Sequence, residues 1–597
     1  MHRTKLKLAW VLLLLLQPAF VHSQTIPDKW LTDYEKSGFR KTPRDAETID
    51  FCRRLEHASP WIKVLTFGKT PEGRDLHLVI ASKEGAFEPN APPRAGKAVV
   101  LIQNGIHAGE IDGKDACLML LRDIAITKSK ASLLDHAILL VIPIYNLDGH
   151  ERFGPYNRIN QNGPDEMGWR VTSQNLNLNR DYLKADAPET QAWLKLFTEW
   201  LPDFFIDCHV TDGADFQHVL TYGLETHEGV SAPLRTWINR NYVPAIERMM
   251  ASAGSSIVPY MFFKDDKDPT LGIVGFPASP RFSTSYSAIQ NRPGLLIETH
   301  MLKDYKTRVE ATYRMLESTI ALAGSDFPAL HRAVTEADEE AAHGIPHPVP
   351  LRFEVADKAN ATIRFLGYKQ RVEKSDISGT DRVVYTKVPY EANIPRYDSF
   401  IVTKSVQPPF AYLIPRQWRE VIGRLRLHGL RLDRLTAPAT LDVESYRFSN
   451  AVWQQAPFEG RHPVTYSVQS STERRSFPAG TVVVRMNQRA ARVAVHALEP
   501  EAPDAFVAWG FFDAIFEQKE YAENYVMESM ATDMLAKDPQ LKKEFEARLE
   551  RDTSFSHSSA ARLRFFYERS PYWDPEMNRY PVVRLMTNAQ LETEPLP

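Results

Sequence analysis

AVVLIQNGIHAGEIDG, residues 98–113, runs from a short apolar segment into a glycine-bounded turn that presents His107 and Glu110 three positions apart. A run of that length with no polar interruption reads as a strand buried on both faces, the kind found in parallel α/β sheets. Two later stretches have the same form: FFIDCHVTDG, residues 204–213, brings His209 after an apolar run, and GLLIETHM, residues 294–301, brings Glu298. Polar groups at the carboxyl ends of neighbouring strands converge where open α/β sheets place their ligands. Two imidazoles, His107 and His209, with one carboxylate, Glu110, make the three-ligand set of a catalytic zinc ion whose fourth position stays open. One Zn2+ per chain is therefore expected, with Glu298 left over as a spare carboxylate able to act as a base. Taken singly, the pair is a surface motif, His209 a core histidine and Glu298 a salt-bridged strand end. Their shared strand-then-loop setting joins them.

The 597 residues are too many for one hydrophobic core, so at least two are expected. With 43% hydrophobic, 25% charged and 11% aromatic residues, the composition is that of an ordinary globular protein. A net charge of −3 argues against a nucleic-acid partner, which demands a concentrated basic face. The basic start MHRTKLK, the apolar LAWVLLLLLQPAF and the small residues near Ser23 read as a signal peptide over residues 1–23. Its apolar part is shorter than the ~20 residues of a bilayer span. A secreted or periplasmic protein without a stable membrane span is expected. Cys52, Cys117 and Cys208 are too few and too scattered for a disulfide framework; Cys117 and Cys208 read as small buried hydrophobes, the alternative being that one of them pairs with Cys52 after export.

Residues 24–330 alternate apolar runs with helical patterns, as an α/β domain does. WIKVLTFGKT, DLHLVIAS, AVVLIQNG and AILLVIPIY are expected strands, with a helix from Gly113 to Ile126, another capped by Asp186, and a third started by Asp304. Residues 331–500 read as β-rich, with one inserted helix stopped by Gly429, and residues 501–597 as mainly helical, including a helix started by Asp538 and Pro539. His300 and the aromatic run AWGFFDAIF are expected to be structural.

The order of these residues resembles the M14 metallocarboxypeptidases of the carboxypeptidase A type. H-x-x-E at His107 and Glu110 is followed by Asn179 and Arg180 in NLNLNRDY, then His209, then Glu298, and Gly73-Arg74 in PEGRDL resembles a segment upstream of the zinc pair. The resemblance covers about residues 45 to 325, roughly half the chain. It implies an α/β fold with a mixed eight-stranded sheet flanked by helices. It also implies a peptide substrate with a free C-terminal carboxylate, held by Arg180 and Asn179 and contacted by Arg74. Glu298 would be the general base, taking a proton from zinc-activated water. Arg170 in MGWRVTS would face the oxyanion, with Arg158 as its rival, and Tyr286 in STSYSAIQ would cover the substrate. Asn177 stands where many members carry an aspartate, and an amide oxygen can still accept the bond from the first zinc histidine.

These features lead to the expectation of a secreted zinc carboxypeptidase. The alternatives are a zinc amidase acting on cell-wall peptides or N-acyl amino acids, and a non-catalytic binding protein with a degenerate site. A guanidinium clamp fits any free carboxylate and does not separate the first two. The side-chain pocket is expected between about residues 265 and 297.

Overall fold

The computed structural model describes residues 26–91, 96–345 and 348–596. The signal-peptide segment, residues 1–23, lies outside them, and no described helix is long and apolar enough to cross a membrane.

Eight strands form the sheet that carries the site: β1 (Ile62–Lys69), β2 (Asp75–Ala81), β3 (Ala98–Asn104), β4 (Ala137–Ile142), β5 (Phe204–Thr211), β6 (Leu220–Gly223), β7 (Ile257–Pro259) and β8 (Gly294–His300). Their spatial order is β1-β2-β4-β3-β5-β8-β6-β7. The centre, β4-β3-β5-β8, is parallel, whereas β1, β2 and β6 run antiparallel to their inner neighbours. Every residue of β3 and β4 is buried, as the unbroken apolar runs predict for strands covered on both faces.

Helix α1 (Asp112–Ala125) follows the His107–Glu110 turn directly. A Cβ at Gly113 would collide with Asn104 and Cys208, so only glycine lets the helix start this close to β3 and β5. Helix α2 (Pro188–Trp200) begins without a side-chain cap, because Asp186 is drawn instead to Lys184 and Arg461. Helix α3 (Ser283–Ile289) precedes β8, and α4 (Tyr305–Ser325) follows it with Asp304 accepting from Thr307 N, as expected of its cap. Helix α5 (Phe327–Gly344) comes next.

The expected boundary after residue 330 falls inside α5. One apolar core runs from Leu78, Trp193 and Tyr286 of the first part to Val421, Phe506 and Tyr580 of the second, and Trp509, Phe511, Phe512 and Phe516 of the aromatic run are buried in it. A second core lies on the other face of the first sheet. The C-terminal part adds a seven-stranded sheet and, from Asn524 to Tyr567, a helical group with its own core. Gly429 ends the inserted helix Arg419–Leu427 at φ +78, and Asp538 accepts from Gln540 N and Leu541 N at the start of Pro539–Arg551. The three cysteines are free and buried.

Candidate active site

β5 and β8 lie side by side in parallel register with His209 opposite Glu298, so the two side chains emerge at one level. The turn after β3 supplies the rest: Glu110 N donates to the His107 carbonyl (2.8 Å), closing a tight loop beside them. His107, Glu110 and His209 each offer a ligand atom within 4.8 Å of the others, and all three are buried. His107 Nδ1 is 3.1 Å from Glu110 Oε1, and His209 Nδ1 is 3.2 Å from Glu110 Oε2.

The far ring nitrogens are held by acceptors. His107 Nε2 meets Asn177 Oδ1 at 3.1 Å, and His209 Nε2 meets Asp207 Oδ2 at 2.8 Å. Each acceptor fixes the ring so that Nδ1 faces the centre, the arrangement that orients imidazoles for a metal. His107 Nδ1 is buried without any hydrogen bond, an orphan that a cation would satisfy. The residues present therefore fit a divalent ion with a preference for nitrogen and oxygen donors. Asp207 was not singled out from sequence; standing two positions before His209 on one strand, it shares that residue's face, and this spacing was the available signal.

Charge in the site follows from burial and neighbours. Burial depresses the His107 pKa to about 4, with Glu110 opposing. For Glu110, burial is outweighed by His107 and Arg158, which hold its carboxyl well below the usual range. Burial likewise disfavours the His209 imidazolium, but Asp207 and Glu110 outweigh it and hold the pKa well above the ordinary value. A cation competes for that proton, since only the neutral ring binds metal. Glu298 is buried, its Oε2 has no hydrogen-bond partner, and burial pushes its pKa up to about 8 against the opposing His209, with Glu110 adding to the rise.

These groups open onto a cleft of about 430 Å³ lined also by Arg170, Asn179, Arg180, Tyr260 and Phe282. Arg158 and Arg170 both reach Glu110 Oε1, at 2.7 and 3.3 Å, but Arg158 is buried behind it while Arg170 keeps 41% of its side chain exposed on the cleft wall. Arg180 stacks on Phe282 (4.3 Å to the ring centroid) and donates to the Asn179 carbonyl. It makes no ion pair among the described residues. Asn179 Oδ1 accepts from Ser283 N at 3.3 Å.

Two assignments need correction. Tyr286 is fully buried in the shared core, where its hydroxyl meets His428 Nδ1 (2.8 Å) and Gln290 Nε2 (2.7 Å); it lines no part of the cleft. Tyr260 lines it instead, its hydroxyl kept protonated by burial and the nearby Glu298. Arg74 is tied to Glu72 and Asp148 and is not a lining residue, because Asp148 also collects Thr70 and Ser173 into one polar knot. His300 is structural as expected, bonded to the Ala214 carbonyl and Leu302 N. The expected pocket segment contributes Ile273, Gly275, Phe276, Ala278, residues 282–284 and Leu296. Arg396, Asp398 and Phe400, from the C-terminal half, line the cleft beside this segment, at and just past the end of the strand Asp381–Tyr397, which pairs with Ile273–Val274.

A His-Glu-His centre at the carboxyl edge of a mixed α/β sheet, with a free carboxylate beside it, defines a metal-dependent hydrolase site. The family model of the M14 peptidases, described as zinc carboxypeptidase, matches residues 48–260, so the protein is a metallocarboxypeptidase that carries a zinc carboxypeptidase domain over those residues. The match spans His107 through His209 and ends before Glu298. Carboxypeptidase 2 of Trichophyton rubrum is 25% identical over 492 residues, 78% of this chain and 84% of the relative. Carboxypeptidase 2 of Trichophyton tonsurans is 23% identical over 518 residues, 83% and 87% respectively. Among solved structures, carboxypeptidase A from Helicoverpa armigera aligns with 50% of this chain and 75% of its own, at 17% identity and a TM-score of 0.36.

Proposed function

We propose that the protein is an exported zinc exopeptidase that hydrolyses the C-terminal peptide bond of peptides. The observation that carries this reading is Arg180: a guanidinium set into the cleft beside the metal ligands, with no ion-pair partner among the described residues. A buried charge without a partner is costly, and a substrate carboxylate removes that cost through two parallel hydrogen bonds. An enzyme cutting internal bonds has no use for such a clamp.

His107, Glu110 and His209 would hold the ion, with Asn177 and Asp207 fixing the two rings. Zinc bound there supplies Lewis acidity, polarising the scissile carbonyl and making water nucleophilic near neutral pH. Glu298 takes the water proton and delivers it to the leaving amine. Arg170, on the cleft wall, donates to the carbonyl oxygen as it gains charge. Arg180 and Asn179 set the terminal residue so that the last peptide bond lies over Glu298. Export rests on the composition of residues 1–23.

The test pairs peptides that differ only in a free or amidated C-terminus. The free form is expected to be cleaved at its last bond at least about 100-fold faster, and Arg180→Ala to lower its kcat/KM by a similar factor. Equal cleavage of the two forms, or cleavage at internal bonds, would refute the exopeptidase reading. Muropeptides in the same assay separate cell-wall substrates from ordinary peptides.

A further inference from the structure

The charged groups around the cleft are not treated alike. Glu110 is met by Arg158 and Arg170, Asp398 by Arg396, and Asp212 is exposed to water. Glu225 lines the same cleft with only 10% of its side chain exposed and has no lysine or arginine within ion-pair distance among the described residues. Its Oε1 accepts from Thr284 Oγ1 (2.9 Å), and its Oε2 lies 3.3 Å from His227 Nε2. Gly229 N donates to His227 Nδ1 (3.1 Å), so that ring nitrogen acts as an acceptor. Thr284 thus supports the carboxylate, and apart from His227 no basic side chain stands within ion-pair distance of it among the described residues.

The position of Glu225 is tied to that of the carboxylate clamp by three successive residues. Phe282 stacks under Arg180, Ser283 N bonds Asn179, and Thr284 bonds Glu225. On β6, Thr221 stands opposite Glu298 and Gly223 opposite Leu296, which places Glu225 farther along the same line, at most about 13 Å from the level of the base at roughly 3.3 Å per residue. An extended lysine side chain covers about 6 Å from Cα to Nζ at ordinary bond lengths, arginine slightly more, and the Glu225 side chain spans much of the remainder. Tyr222, Val243 and Leu296 line the cleft as well and offer apolar surface to the methylene stem of such a residue.

We propose that Glu225 is a specificity-determining residue that receives the ammonium or guanidinium of a C-terminal lysine or arginine whose carboxylate Arg180 holds. The inference rests on the exopeptidase reading above. A zwitterionic end group answers both unmatched charges at once: its carboxylate neutralises Arg180 and its basic side chain neutralises Glu225. A terminal glutamate would put two carboxylates within the low-dielectric cleft, and a terminal phenylalanine would bury Glu225 still unpaired.

The test uses blocked dipeptides identical except for a terminal Arg, Lys, Phe or Glu, assayed with the zinc-loaded full chain. Arg and Lys are expected to exceed Phe in kcat/KM by at least about 100-fold, with Glu poorest. Glu225→Gln is expected to shrink the Arg-to-Phe ratio by at least about 30-fold. A wild-type preference for Phe or Glu, or an unchanged ratio in folded Glu225→Gln, overturns the assignment while leaving the exopeptidase reading intact. Hydrolysis of none of the four overturns both. Should Glu225→Gln fail to fold, competition in the wild type decides. 6-Aminohexanoate is expected to inhibit at least about tenfold more tightly than hexanoate, and equal or weaker inhibition overturns the proposal.

Discussion

Around the cleft, Arg180, Glu225 and Glu298 stand without a lysine, arginine or carboxylate ion-pair partner among the described residues, whereas in the C-terminal half Arg584 lies between Glu444 (2.5 Å) and Glu499 (3.1 Å), and Arg461 forks onto Asp186 with two contacts of 2.7 Å. Unneutralised charge in low dielectric lowers stability, and paired charge holds elements together only when its geometry is good. The first half therefore keeps charges poised for a ligand, and the second spends its charges on attachment. Glu189, at the start of α2, belongs with the first group although it does not face the cleft: both its carboxylate oxygens are buried without a hydrogen bond, and burial pushes its pKa up to about 7.

The contrast can be broken most decisively at Glu298. Glu298→Gln should reduce kcat/KM by at least about 1000-fold, in the range of a lost general base, while leaving zinc stoichiometry unchanged and raising Tm, because a buried chargeable group becomes neutral. Activity within tenfold of wild type would place the base elsewhere.

Glu189 tests the cost of unmatched charge alone. Its folded pKa of about 7 lies above the ordinary 4.5, so the folded state binds the proton more tightly. The associated stability, at most about 3 kcal/mol, is complete below pH 4.5, declines between 4.5 and 7 and is absent above. Glu189→Gln should flatten that decline in Tm measured from pH 4.5 to 7.5; parallel curves for the two proteins would show that the side chain is not the source. The smallest effect is expected in the attached half, where Arg461→Ala should cost about 2 kcal/mol in urea unfolding and leave kcat/KM within about threefold. A large loss of activity without a loss of stability would reverse the comparison.

The meeting of His107, Glu110 and His209 was legible because its evidence is local. Each donor follows its own apolar run, and strand pairing then only has to align β5 with β8. The place of Arg180 and Asn179 at the cleft was legible as a dipeptide in an ordered set of motifs. Tyr286 was misplaced because a tyrosine on a short helix before β8 says nothing about which way the helix turns it, and the C-terminal half supplies the core that swallows it. Tyr260, Glu225 and the wall formed by Arg396 and Asp398 depend on contacts between distant segments, such as the pairing of the strand Asp381–Tyr397 with Ile273–Val274, that no periodicity reveals. Arg158 and Arg170 were indistinguishable by spacing and differ only in which one the fold covers.

The apolar core that continues through α5 into the second half has a practical meaning for proteolysis and for protein engineering. Cutting the chain near residue 330 would strip Trp193, Phe197 and Tyr286 of their cover, so a fragment ending there should aggregate instead of working as a minimal enzyme. The half that carries the candidate site is thus not a detachable module.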